Sequence, residues 1–178
     1  MEINIRQESP EDYVEVEKLI EAAFKAEKFS DHREHFLVKK LRDSNSFVPE
    51  LSIVAEIEGE VIGHVLLTKI KIKKENTTFE SLALAPISVK PKYQKQGVGG
   101  KMIRIAHKKA ISLGYKSIVV LGHEDYYPRF GYQITSKFGI KLHFEATEAN
   151  CMIIELVENG LQDVSGIVEY PRVFFETE

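Results

Sequence analysis

Gln94, Gly97 and Gly99 stand at the spacing Gln-x-x-Gly-x-Gly, inside the run Lys90-Pro91-Lys92-Tyr93-Gln94-Lys95-Gln96-Gly97-Val98-Gly99-Gly100-Lys101. A strand-like stretch precedes the run and helical spacing follows it. The first turn of a helix carries N–H groups without internal partners and the positive end of the helix dipole. Glycines there let an anion approach the backbone closely. The segment therefore reads as an anion cradle, most naturally for a pyrophosphate. Spacing removes two commoner cradles. A dinucleotide fingerprint fits Gly97 and Gly99 but meets Met102 where its third glycine belongs. A P-loop ending at Gly100-Lys101 needs glycine where Lys95 stands, and Ser or Thr where Met102 stands.

The elements that must hold this cradle can be read from hydrophobic period. Ile3 and Ile5 share a face, which suits a short strand over 2–6. Ser9-Pro10-Glu11-Asp12 opens a helix, with Ser9 as cap, Pro10 in the first turn and acids facing the positive dipole end. Tyr13, Val16, Leu19, Ile20, Ala23 and Phe24 continue it. A second helix is predicted over Asp31–Arg42, with Phe36, Leu37 and Leu41 on its buried side. Strand patterns follow around Ile53–Ile57, over Val61–Ile72 and over Phe79–Val89, the last interrupted by Pro86. Helical spacing returns at Val98, Met102, Ile105, Ala106, Ala110 and Leu113, with Gly114 as its stop. Ser117–Leu121 reads as a central strand. A turn of helix near 125–130 and strands near 138–144 and 151–157 complete the order β-α-α-β-β-β-α-β-α-β-β. The strand–helix–strand unit at 79–121 requires parallel neighbours, and the turns before it indicate hairpins. The fold class is α/β: a mixed central sheet of about seven strands flanked by helices.

Composition bounds the function. The chain has 178 residues and a formal net charge of −3, from 24 Lys+Arg against 27 Asp+Glu. That is the length of a single domain, 1–178, and the balance disfavours a nucleic-acid partner. No apolar run reaches the ~18 residues of a membrane span, and Met1-Glu2-Ile3-Asn4-Ile5-Arg6 lacks the features of a signal peptide. Cys151 is the single cysteine, so no internal disulfide forms. These features together predict a cytoplasmic protein. The six histidines show no metal-ligand spacing, so no metal is expected.

The Gln-x-x-Gly-x-Gly run resembles the central motif of the GCN5-related N-acetyltransferase (GNAT) superfamily. The resemblance takes in the preceding strand, the following helix, the 117–121 strand and the terminal Tyr126-Tyr127-Pro128-Arg129-Phe130-Gly131-Tyr132. It spans a core of residues 3–145, with 146–178 supplying a C-terminal strand and tail. Pro49-Glu50-Leu51-Ser52, Gly63-His64 and Pro86-Ile87-Ser88-Val89 resemble the YhbS-type branch. The resemblance implies that acetyl-CoA is the cosubstrate. It places the pyrophosphate at Gln94, Lys95, Gln96, Gly97, Val98, Gly99, Gly100 and Lys101, and the pantetheine arm on Ile87, Ser88 and Val89. It also implies that Pro86 splays the 79–89 strand from the 117–121 strand, freeing backbone for the pantetheine amides.

The chemistry implied is direct attack of a primary amine on the thioester in a ternary complex. At pKa ≈ 10.4 only roughly one lysine-like amine in 2,500 is neutral at pH 7, so the site must lower that pKa, remove a proton or wait for the neutral fraction. The departing thiolate needs a donor. Tyr127, four residues before Gly131, matches the family's general acid, with Tyr126 as second choice. The strand Ser81-Leu82-Ala83-Leu84-Ala85 lacks the glutamate that serves many members as base. His64, His123, Glu124 or a water relay stay open for that role. The acceptor is a small-molecule amine or a protein amine, on a monomer or homodimer. A non-catalytic acyl-CoA-binding module is the alternative from another class, and another phosphate-ligand binder is a further one.

Overall fold

The apolar runs after Gly59 and around Phe79 become the two longest strands of the molecule. In the computed structural model, which describes residues 2–176, β1 (Asn4–Gln7) is followed by α1 (Tyr13–Phe24) and α2 (Glu34–Arg42). Then come β2 (Ser52–Ile57), β3 (Glu60–Lys74), β4 (Thr77–Val89) and α3 (Val98–Ser112). The chain continues with β5 (Ser117–Leu121), β6 (Gln133–Ile134), β7 (Ile140–Lys141), β8 (Cys151–Glu155) and β9 (Gly166–Glu169). Among the described residues the strands form one mixed sheet of nine, ordered β1-β2-β3-β4-β5-β8-β6, with β9 paired to β3 and β7. The sequence reading of seven is corrected by the short pieces. The 138–144 pattern is a 3-10 turn, Thr135–Phe138, and the two-residue β7. β9 is too short to show a period.

The chain has two compact units, Met1–Leu67 with Ala85–Lys109, and Thr68–Leu84 with Ala110–Glu178. In the first, β1 runs antiparallel to β2, from Asn4↔Glu56 to Gln7↔Ile53. β2 turns back into β3 through Glu58 and Gly59, both at positive φ (50° and 82°), as a tight hairpin turn requires. Val16, Leu19 and Ile20 of α1 and Val38 and Leu41 of α2 are buried. The prediction for α2 is shifted there: Phe36 is exposed and Val38 takes its place. Likewise α3 buries Val98, Met102, Ile103, Ala106 and Ala110, whereas Ile105 is 39% exposed. A stripe set by positions 98, 102, 106 and 110 can widen either way, and here it widens toward 103.

In the second unit, β4 joins β5 in parallel at Leu82↔Ile118 and Ala83↔Val119. Beside that ladder the Ser81 hydroxyl meets the Ser117 hydroxyl at 2.6 Å. The ladder lies N-terminal to Pro86, in keeping with the expected splay. β5 and β8 pair antiparallel from Ser117↔Glu155 to Leu121↔Cys151. Ile70, Ile72, Val119, Ile153, Leu161 and Val168 pack in one apolar cluster. Phe174 and Phe175 pack within this unit, against Tyr170 and Phe144 respectively. β9 enters on Gly166, whose φ is +128° and whose missing Cβ would lie 2.2 Å from the Lys73 carbonyl oxygen.

Candidate functional site

The Gln-x-x-Gly-x-Gly run sits where its spacing puts it, between the end of β4 and the start of α3. A 3-10 turn, Pro91–Tyr93, leads in. Lys95 and Gly97 both adopt positive φ, 60° and 83°. The side chains of the two glutamines hold the loop rather than a ligand: Gln94 Nε2 donates to Val89 C=O (3.0 Å) and Gln96 Nε2 to Lys92 C=O (2.9 Å). The first bond of the helical ladder runs from Lys101 N–H to Gly97 C=O, at 3.1 Å. The N–H groups of Val98, Gly99 and Gly100 lie ahead of it and have no acceptor inside the helix. The first turn of α3 carries no acid. A positive helix end with free N–H groups, two glycines and no competing carboxylate is chemically suited to a phosphate anion.

β4 approaches this loop through Ile87, Ser88 and Val89. Lys90 N–H donates to Ile62 C=O at 2.8 Å, tying the strand end to β3. Gly63 on β3 is required by close packing: a Cβ there would lie 2.7 Å from Met102 Cε and 3.3 Å from the Ser88 carbonyl oxygen. The Ser88 hydroxyl is buried with no hydrogen-bond partner among the described residues.

Tyr127 lies in a 3-10 turn, Tyr127–Phe130, after β5. It is 7% exposed. Its ring meets Tyr126 edge-on at 5.1 Å and Tyr132 at 5.6 Å. Gly122 makes room for it, since a Cβ there would be 2.4 Å from Tyr127 Cε2. Burial, aided by Tyr126, pushes the phenol well above its ordinary value of 10. The phenol therefore stays protonated at every working pH. Tyr126 is half-buried, and the Arg129 guanidinium lies 4.7 Å from its ring centre.

The residues left open as base are separated by burial. His123 and Glu124 are exposed, whereas His64 is fully buried. His64 Nε2 lies 3.0 Å from Ser52 Oγ, and that hydroxyl donates to Glu8 Oε2 at 2.6 Å. Glu8 Oε1 accepts from Arg42 Nη2 at 2.6 Å, and Arg42 Nη1 reaches Glu17 at 3.3 Å. Arg42 also lies 3.9 Å from the centre of the Tyr13 ring. Desolvation, reinforced by the Arg42 charge, lowers His64 to about 3, so the imidazole is neutral. Arg42 thus belongs to a buried ion pair and does not present an open charge to an acceptor. The sequence reading missed Glu8 and Ser52, which link Arg42 to His64. The available signal was a polar residue set into an apolar strand run, as Ser52 is before Ile53-Val54-Ala55 and His64 between Ile62 and Leu66. Among the described residues no His/Cys/Asp/Glu group is arranged to hold a metal ion, and no helix is long and apolar enough to cross a membrane.

Comparison with known proteins gives the same segment order a family. Residues 4–135 match the family model described as an acetyltransferase (GNAT) domain. Over 170 residues the chain is 27% identical to the uncharacterised N-acetyltransferase YhbS of Escherichia coli, covering 96% of this chain and 97% of that protein. It is 39% identical to the uncharacterised N-acetyltransferase YjhQ of Escherichia coli over 105 residues, which span 59% of this chain and 58% of YjhQ. The crystal structure of YhbS in complex with CoA superposes with a TM-score of 0.87, at 26% identity over 99% of this chain and 93% of that one. A GNAT family acetyltransferase from Brucella melitensis, in complex with acetyl-CoA, gives a TM-score of 0.78 at 30% identity, covering 97% and 98% of the two chains.

Proposed function

Because the chain belongs to the GNAT acetyltransferase family, we propose that it transfers an acetyl group from acetyl-CoA to a primary amine by direct attack in a ternary complex. The observation that carries this reading is the start of α3. Its N–H groups at Val98, Gly99 and Gly100 are free of the helix ladder, and its first turn holds no acid. Gln94, Lys95, Gln96, Gly97 and Lys101 complete the loop that receives the pyrophosphate. The backbone N–H and C=O of Ile87 and the N–H of Val89, which face away from β3, pair with the pantetheine amides in the manner of an added strand. YhbS with CoA and the Brucella melitensis enzyme with acetyl-CoA support this assignment.

The reaction forms a C–N bond from the amine lone pair and breaks the C–S bond, whose electron pair leaves on sulfur. Tyr127 is assigned as donor to that thiolate. A thiol of pKa ≈ 8.5 is a stronger acid than a buried phenol, so Tyr127 acts chiefly through a hydrogen bond that strengthens as charge builds on sulfur. The acceptor class is a primary amine, on a small molecule or a protein.

Acetyl-CoA is incubated with a panel of primary amines and products are detected by mass. Transfer to at least one amine is expected. Tyr127→Phe, which keeps the ring and removes only the donor, should lower kcat ~10²-fold or more and leave CoA affinity within twofold. CoA binding with no transfer to any amine would replace the enzyme with an acyl-CoA-binding module.

A further inference from the structure

Among the described residues three side-chain polar atoms are buried without a partner, His35 Nδ1, His64 Nδ1 and Ser88 Oγ, and the last two stand on adjacent strands. β3 and β4 are adjacent strands joined through Glu75-Asn76, hence antiparallel. The bond from Lys90 N–H to Ile62 C=O pairs those two residues. Two steps along each strand bring Ser88 opposite His64, with both side chains on one face. The closeness of Gly63 to the Ser88 carbonyl oxygen agrees with this register. Buried polar atoms are rarely left unsatisfied, and a water with several polar neighbours is the usual reason.

Beyond His64 the hydrogen bonds have a direction. The Ser52 hydroxyl has one proton, and its 2.6 Å contact with Glu8 Oε2 uses it. At the 3.0 Å contact the same oxygen must therefore accept, so His64 Nε2 carries the imidazole proton. His64 Nδ1 is then a bare acceptor. The chain from Nδ1 through Nε2 and Ser52 Oγ to Glu8 is polarised one way.

We propose that Glu8, Ser52 and His64 form a proton wire, entered at a water held between Ser88 Oγ and His64 Nδ1, that takes up the proton released by the acceptor amine. This rests on the acetyl-transfer reading. As the C–N bond forms, the nitrogen becomes a far stronger acid and gives its proton to the water. The water passes a proton to Nδ1, Nε2 passes its own to Ser52 Oγ, and the Ser52 proton moves to Glu8. The water, the imidazole and the Ser52 hydroxyl each gain one proton and lose one. His64 changes tautomer without becoming an imidazolium, and Glu8 ends as the acid. Reverse passage returns the proton to water once the product has left. The charged groups around His64 are Glu8, which follows β1, Arg42 of α2, Asp12 ahead of α1, and Glu17 of α1 through Arg42.

The first test needs no acceptor. In the free protein, ¹⁵N NMR of His64 should show a neutral ring with its proton on Nε2; a proton on Nδ1 overturns the wire. The second uses the amine found by the panel. Ser52→Ala should lower kcat ~10²-fold at pH 7, with the deficit shrinking as pH rises and hydroxide replaces the relay. Ser52→Thr, which restores a hydroxyl, should recover most of it. Ser88→Ala keeps the backbone of β4 and should show the same pH signature with CoA affinity within twofold, which covers the case that Ser52→Ala does not fold. A deficit equal at all pH values in the folded variants overturns the wire and leaves the acetyltransferase standing. No transfer by the wild type overturns both, since the wire then has no proton to carry.

Discussion

Gly122→Ala puts a single methyl group against the ring of Tyr127. The new Cβ would lie 2.4 Å from Cε2, 3.0 Å from Cδ2 and 3.3 Å from Cζ of that ring. Carbon pairs rest at roughly 3.5–4.0 Å, so the nearest contact is short by about 1 Å or more. The backbone cannot retreat easily. Gly122 N–H donates to Asn150 C=O at 3.0 Å, and Gly122 C=O accepts from Asn150 Nδ2 at 2.9 Å. Gly122 has no positive φ to lose, so the clash is the whole effect. The ring must move, against Tyr126 and Tyr132. Overpacking of this kind costs about 1–3 kcal/mol, a fall in Tm of about 3–10 °C for a chain of this size. For the proposed donor hydroxyl, a displacement of ~1 Å should lower turnover ~10²-fold. Calorimetric melting and kcat at saturating acetyl-CoA measure both effects. Adding Tyr127→Phe to Gly122→Ala should then cause little further loss, because the donor is already out of place. A Gly122→Ala protein with wild-type Tm and kcat would refute the packing of Tyr127 on Gly122 and its assigned role together.

Arg42→Met should destabilise the fold by about 3–5 kcal/mol in urea titration, because it strands Glu8, whose side chain is 1% exposed; adding Glu8→Gln should restore part of the loss, and strict additivity would contradict the pairing. Asp12 is held down at about 2 from its ordinary 3.8, first by the Arg6 hydrogen bonds at 2.8 and 2.9 Å. A lowered carboxylate contributes stability above its unfolded value and loses it as pH falls through the folded one. With Arg6 35% exposed, that contribution is about 1–2 kcal/mol. Asp12→Asn should therefore be less stable at pH 7 and show a flatter loss between pH 4 and 2 in acid titration of the unfolding midpoint; parallel curves for the two proteins would contradict it.

What was legible in the sequence follows from what leaves a local trace. The start of α3 was readable because Gly97, Gly99 and the period from Val98 to Ala110 act within one segment. The pairs β2–β3 and β3–β4 were readable from long apolar runs with turn residues between them. β9 was not, because four residues carry no period and its pairing with Lys71–Lys73 is decided by tertiary contact. The side taken by Ile103 rather than Ile105 depends on which neighbour covers α3. The Glu8–Ser52–His64 chain joins residues far apart in sequence, each ordinary by itself. Its trace was limited to polar residues placed inside apolar strands.

The central claim is that the start of α3 receives the pyrophosphate of CoA, and calorimetric titration with CoA tests it most directly. The wild-type protein should bind one CoA per chain. Gly99→Glu places a carboxylate among the N–H groups of Val98, Gly99 and Gly100, where two like charges meet at a helix end, and should weaken binding by several kcal/mol. Its melting curve should stay cooperative, showing that the fold persists. Wild-type affinity in a folded Gly99→Glu protein would contradict the claim.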